Sequence, residues 1–258
     1  MKTKRLWAAI LVVCLTLAPV LPASAAGSAP SLEDAVQAVT ALGITDGENL
    51  SRWVTRAEFV AMAIRATPVG DGVGQAASSP YPDVPRSHWA SGYVEAAVQR
   101  GLVTAFSDGT FRPDRETTLA EAASMVLTLL GYGPGDFSGA YPTGQLSMFR
   151  SLKLDRGVSA VSAADPLTRQ DAVCLFYNLL SARTREGTPY IQTLGHSLDA
   201  SGKPDLVSLI NGEMEGPVVA GPGWQSRLPF TPAKVYRNGS LVSLSAVQDY
   251  DVIYWNAS

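Results

Sequence analysis

The sequence predicts an α+β protein: three helix–loop–helix repeats gathered into a helical bundle, followed by a small antiparallel β-domain. Three observations carry this reading. Thr55, Thr118 and Thr168 each open a capping box and a stripe of apolar residues at helical spacing. They recur at intervals of 63 and 50 residues, as in an array whose units bury their apolar faces against one another. After residue 189 the helical period gives way to short apolar runs set among Gly, Pro, Val and Tyr.

The N-terminus stands apart. Lys2, Lys4 and Arg5 precede an apolar run from Leu6 to Leu21 and then Ala23-Ser24-Ala25, so residues 1–25 read as a secretory signal peptide. An uncleaved membrane anchor is the alternative. The chain carries a formal net charge of -3; losing those three cations takes it to -6, which argues against a basic nucleic-acid surface. Cys14 leaves with the signal, so Cys174 is the only mature cysteine and no internal disulfide framework is expected. Between Val173 and Leu175, Cys174 reads as a packing residue.

The most complete repeat spans residues 80–131. Ala90, Tyr93, Val94 and Ala97 predict an amphipathic helix from Ser87 to Arg100. Gly101 stands where a left-handed cap would end it. Ser107-Asp108-Gly109-Thr110 is turn chemistry, Phe111 points inward, and Arg112-Pro113 bars immediate re-entry into a helix. Thr118 and Glu121 form a capping box. Leu119, Ala122, Val126, Leu127 and Leu130 form the buried stripe that follows.

These residues, with Asp83-Val84, His88-Trp89-Ala90 and Gly101-Leu102-Val103, resemble an S-layer homology (SLH) domain in order and spacing. On that template residues 31–67 form a first, degenerate repeat. Ser31 caps a helix running to about Leu42, Gly43-Ile44-Thr45 and Asp46-Gly47 supply the turn, and Thr55 and Glu58 box the next helix, which turns Phe59, Met62, Ala63 and Ala66 inward. Residues 141–185 form a third, also degenerate, with a helix near Gln145–Leu152 and a box made by Thr168 and Asp171; Ala172, Leu175, Phe176, Leu179 and Leu180 give its stripe. Thr67 to Ser79 and Gly131 to Ala140 read as connectors, the former as a flexible linker. In residues 189–258, six apolar runs (190–194, 206–210, 217–220, 233–236, 241–244 and 251–255) suggest strands. Asn238-Gly239 is a type I′ hairpin signal.

Chemistry that would mark an enzyme is sparse. His88 and His196 lie far apart, and no HExxH, Cys/His or Gly-rich phosphate motif occurs. No catalytic residue, metal or cofactor is expected. His88 reads as a residue leading into a helix, and Asp199 to Asp205 as a turn rather than a calcium loop. Glu213 and Glu215 are a close acidic pair in the β-domain, and nothing supports their use in catalysis. Arg56 and Arg169 each follow a cap Thr, where a helix N-terminus already carries partial positive charge. Two readings stand side by side: a solvated surface arginine, or an anion site built from Arg and free N–H groups.

The resemblance implies a pseudo-threefold bundle whose inter-repeat grooves bind secondary cell-wall polysaccharide linked to peptidoglycan. It implies Arg56 and Arg169 as main contacts and Trp89 as a groove wall, although a core role for Trp89 stands beside that. Leu119 replaces the arginine of the second repeat, so its groove should be weak or empty. The implied protein is secreted to the bacterial cell surface, non-enzymatic, bound to neither nucleic acid nor membrane after signal cleavage. A structural or assembly protein, whose repeats are only a scaffold and whose β-domain binds other surface proteins, is the rival.

Overall fold

The computed structural model describes residues 29–211, 215–224, 235–237 and 240–255. The signal-peptide reading therefore lies outside the described residues, as do Glu213 and the Asn238-Gly239 turn. Among those described are α1 (Leu32–Ala41), α2 (Arg56–Arg65), α3 (Ser91–Gln99), α4 (Leu119–Leu129), α5 (Thr143–Ser151), α6 (Arg169–Ser181) and α7 (Leu206–Asn211). Strands β1 (Glu215–Val219), β2 (Val235–Arg237), β3 (Ser240–Val242) and β4 (Val252–Trp255) follow. The class is α+β.

Helices α2, α4 and α6 begin alike. Thr55, Thr118 and Thr168 sit in extended backbone, each hydroxyl accepting from the N–H three residues on. Glu58, Glu121 and Asp171 reach back to the cap's own N–H at 2.9, 3.0 and 2.9 Å. Such a cap contributes about 1 kcal/mol. Just before them the three segments bond one another: Val54 N–H donates to Leu167 O, Leu167 N–H to Thr117 O, and Thr117 N–H to Val54 O, at 2.9, 2.9 and 3.0 Å. The bonds form a closed ring.

Helix packing follows the same circuit. α3 packs on α2, α5 on α4 and α1 on α6. One buried cluster runs through all six, with Phe59 and Phe176 meeting at 5.2 Å between ring centroids. Each first helix ends at a left-handed residue: Gly43, Gly101 and Lys153, with φ 64, 67 and 60°. At the third of these places a lysine takes the conformation that glycine takes at the other two.

Three local readings need correction. The first helix of the middle repeat starts at Ser91, not Ser87, because residues 87–90 form turns in which His88 Nδ1 accepts from Ala90 N–H at 3.1 Å. Likewise α5 starts at Thr143. Residues 67–79 are not a free linker: Ala76 is fully buried, its N–H donates to Ser91 Oγ and its carbonyl accepts from Arg86 Nε.

The C-terminal segment departs further. Residues 190–194 form a 3₁₀ turn and 206–211 a short helix, rather than strands. Asp205 explains the latter, accepting the Ser208 N–H on its carboxylate and the Leu209 N–H on its carbonyl. Tyr190, Ile191 and Leu209 are buried in the same cluster as the helices. The described strands make two antiparallel pairs, β1 with β4 and β2 with β3, the latter with Arg237 opposite Ser240.

Candidate functional site

Arg56 and Arg169 occupy the first helical position of α2 and α6. Neither is a solvated surface residue: they are 5% and 7% exposed. The N–H groups that an anion site would use are also taken. Arg56 and Ala57 donate to the carbonyls of Arg115 and Pro113, Arg169 and Gln170 to those of Arg52 and Leu50, and Leu119 and Ala120 to those of Asp165 and Ala163. The next N–H in each helix goes to its cap Thr. No helix N-terminus is left open to a ligand here, so the guanidiniums themselves must carry any recognition.

Each arginine crosses to a segment distant in the chain. Arg56 donates to the Glu121 carboxylate and to Thr104 O, both at 3.1 Å. Its guanidinium lies 5.0 and 4.9 Å from the Phe106 and Phe111 ring centroids. Arg115 also pairs with Glu121, and Arg112 pairs with Asp108 at 2.9 Å. Arg115 therefore joins the Arg56 groove and does not substitute for the arginine missing at Leu119. Burial, and then the charge of Arg115, pull the Arg56 guanidinium down against the opposing pull of Glu121. Tyr141 stands within electrostatic reach of this group; burial and the Glu121 carboxylate push its phenol up while the two arginines oppose them.

Arg169 is held on every side. It donates to Glu48 O at 2.9 Å and Thr45 Oγ1 at 3.1 Å, and it pairs with Asp46 and Glu58. Arg52 forks onto Glu58 through both oxygens. Burial works to raise the carboxyls of Asp46 and Glu58. Hydrogen bonds from the Glu48 N–H and Arg169 to Asp46, and from Arg52 and the Thr55 N–H to Glu58, prevail and hold both below the ordinary carboxylate range. Above this group opens a cleft of about 210 Å³ lined by Asp46, Glu58, Met62, Arg65, Trp89 and Arg169. Trp89 is 56% exposed, which excludes a core role and puts it on the cleft wall. Arg65 lies over the Tyr93 ring.

The third equivalent place is different. Leu119 is buried, and the Asp171 carboxylate spends itself on Ser159 and Thr168 of its own repeat. A larger hollow of about 410 Å³, where residues 114–118 meet 164–166, includes neither Arg56 nor Arg169. Asp108 and Gly109 form the expected turn, with Gly109 at φ 80° and Asp108 accepting the Thr110 N–H at 3.0 Å. Asp83 accepts the N–H groups of Phe111 and Arg112.

The sequence reading missed Arg52, Arg115, Asp46 and Tyr141. A signal for the first two was present: each stands six residues before its capping glutamate, where the third repeat has Asp165. Tyr141 precedes Pro142-Thr143-Gly144 as Trp89 precedes Ala90-Ser91-Gly92.

The profile of the S-layer homology domain matches residues 80–123. The middle cell wall protein of Brevibacillus brevis is 29% identical over 72% of this chain and 19% of its own length. A surface layer protein of Brevibacillus choshinensis is 30% identical over 59% of the chain and 14% of its own. A cell surface protein of Thermoanaerobacter kivui is 33% identical over 48% and 17%. The chain thus spans a fifth or less of these relatives. The chain carries an S-layer homology domain at residues 80–123. Domain and relatives together place it at the bacterial cell surface as a secreted protein. No helix among the described residues is long and apolar enough to cross a membrane.

Proposed function

We propose that the chain is a non-catalytic cell-surface anchor. Residues 31–67, 80–131 and 141–185 act as three S-layer homology repeats in a pseudo-threefold bundle. Two of its grooves hold peptidoglycan-linked secondary cell-wall polysaccharide non-covalently. The observation that carries this reading is the matched construction of those grooves. Each has a buried arginine from one repeat facing the capping glutamate of the next, with an exposed aromatic beside it: Trp89 over Arg169 and Tyr141 near Arg56. Exposed rings next to fixed hydrogen-bonding groups are suited to the flat faces and hydroxyls of sugars. The Leu119 place has neither element, so it should contribute little.

Co-sedimentation with purified wall sacculi tests the reading. The chain should pellet with intact sacculi and stay in solution once the secondary polymer has been stripped. Equal binding to both preparations would overturn it. Arg56→Ala combined with Arg169→Ala should weaken pelleting at least tenfold, with melting curves showing that the variant is folded.

One observation favours a second reading, a scaffold that assembles with other surface proteins. Val218, Val219, Val252 and Tyr254 of the β1–β4 pair are each more than 40% exposed. A chain ended after Asn211 separates the two: undiminished sacculus binding supports the anchor, and lost binding supports a role for the strands.

A further inference from the structure

Gly92 and Gly144 are the second residues of α3 and α5, in helical backbone that any residue could adopt. Glycine is disfavoured there, because it loses more freedom than alanine on entering a helix. Both are buried, and the space a Cβ would need is taken by the preceding connector. At Gly92 a Cβ would stand 1.7 Å from Gly74 O and 3.1 Å from Val73 Cγ1. At Gly144 it would stand 2.8 Å from Gly139 O, 3.1 Å from Phe137 Cβ and 3.3 Å from Ser138 O. A locally disfavoured residue at the same place in two helices points to a contact that outweighs the local preference.

The connectors themselves are built alike. After α2 comes a 3₁₀ turn, Gly70–Gly72, then Val73 in extended backbone; after α4 comes Pro134–Asp136, then Phe137 in extended backbone. Val73 and Phe137 pack on the shared core, and the carbonyls that follow them meet the glycine. Polar ties fasten each connector. In the first, Ala76 N–H donates to Ser91 Oγ at 3.3 Å, and Ser91 Oγ donates to Arg86 O at 2.9 Å. In the second, the Asp136 carboxylate accepts from Gly133 N–H at 2.9 Å and from Arg185 Nε at 3.0 Å.

Three residues before each glycine stands a groove aromatic, Trp89 before Gly92 and Tyr141 before Gly144. The two residues are 56% and 59% exposed, so packing around the ring does little to hold it and the backbone that carries it must. We infer that the connectors 67–79 and 131–140 are braces that place the groove aromatics, with Gly92 and Gly144 as positioning residues. The connector carbonyl pressed on the glycine fixes the first turn of α3 or α5. Through that turn it sets the angle at which Trp89 or Tyr141 stands beside its arginine. The brace acts whatever the grooves bind; its effect on wall polymer rests on the anchor reading above.

The test follows the ring signals of Trp89 and Tyr141 in aromatic ¹H–¹³C spectra of the labelled full chain, assigned with Trp89→Phe and Tyr141→Phe. Gly92→Ala should move the Trp89 signals and leave those of Tyr141; Gly144→Ala should do the reverse. Each should weaken sacculus pelleting at least threefold. Asn178→Ala removes the hydrogen bonds that the Asn178 amide donates to Leu154 O and Arg156 O. It should lower the melting temperature, move neither ring and leave pelleting unchanged. Ring signals that stay put in the folded glycine variants, or that Asn178→Ala moves as far, overturn the inference. If Gly92→Ala does not fold, Ser91→Ala loosens the same brace and should move the Trp89 signals; Phe137→Ala stands in for Gly144→Ala in the same way. Rings that move while pelleting stays full overturn the link from brace to polymer affinity. Rings that move as expected in a chain that never pellets, altered or not, overturn the wall reading alone.

Discussion

Burying a guanidinium costs several kcal/mol of hydration, and that cost is met only while its carboxylate stays in place. At Arg56 the carboxylate is Glu121, which also caps α4 and holds Arg115. Glu121→Gln keeps an oxygen for the cap but strands two cations, so denaturant unfolding should show a loss of about 3 kcal/mol. Thr118→Ala, which removes only the cap hydroxyl, should cost about 1 kcal/mol. Acid should also weaken the other groove. Asp46 and Glu58 are held below the ordinary range in the folded chain, so they add stability above about pH 4 that is lost as pH falls through their folded values. Melting temperature should decline through that window, and Asp46→Asn should flatten part of the decline; an unchanged profile would show that the pair carries no linkage. Sequence reasoning reached Arg56 and Arg169 through their place after a cap Thr. It could not see them buried, because the groups that bury them come from distant segments, as with Arg169 and Thr45, 124 residues apart.

Elements bounded by local chemistry were the most readable. The three capping boxes, the left-handed Gly43 and Gly101 and the stripe of α4 all follow from residues within a few positions of one another. What escaped was decided by packing. The Gly-rich stretch 67–79 looks like a linker by composition, yet it lies against the first turn of α3, where a Cβ on Gly92 would stand 1.7 Å from Gly74 O. Gly92→Ala should therefore destabilise by about 1–3 kcal/mol and open residues 67–79 to proteolysis; resistance of that stretch equal to the unaltered chain would argue against the contact. The apolar runs at 190–194 and 206–210 carried no period long enough to separate strand from helix. Burial of Tyr190 and Ile191, and the cap at Asp205, chose the helical forms.

For the molecule as a whole, the segment after residue 189 matters in two portions. The Tyr190 hydroxyl donates to Ala66 O at 2.7 Å at the end of α2, and its ring, Ile191 and Leu209 complete the core. A chain ended after Gly187 should lose several kcal/mol, at about 1.5–3 kcal/mol for each large apolar side chain left without cover. One ended after Asn211 should unfold at nearly the same denaturant concentration as the full chain. Coincident midpoints for both truncations would show that residues 190–211 are dispensable.

The ring of bonds joining Val54, Thr117 and Leu167 sets one more consequence. A linear solenoid has ends, and needs capping units to cover them. Here α1 closes on α6, so there is no first or last unit to cover, and none that can fray alone. Closure also waits for the far end of the chain: Asp46 and Glu58 have no Arg169 until residue 169 has been made. The fold is therefore rich in long-range contacts and slow to nucleate. It is expected to appear in one cooperative step, with nothing resembling a finished binding groove before that step is complete.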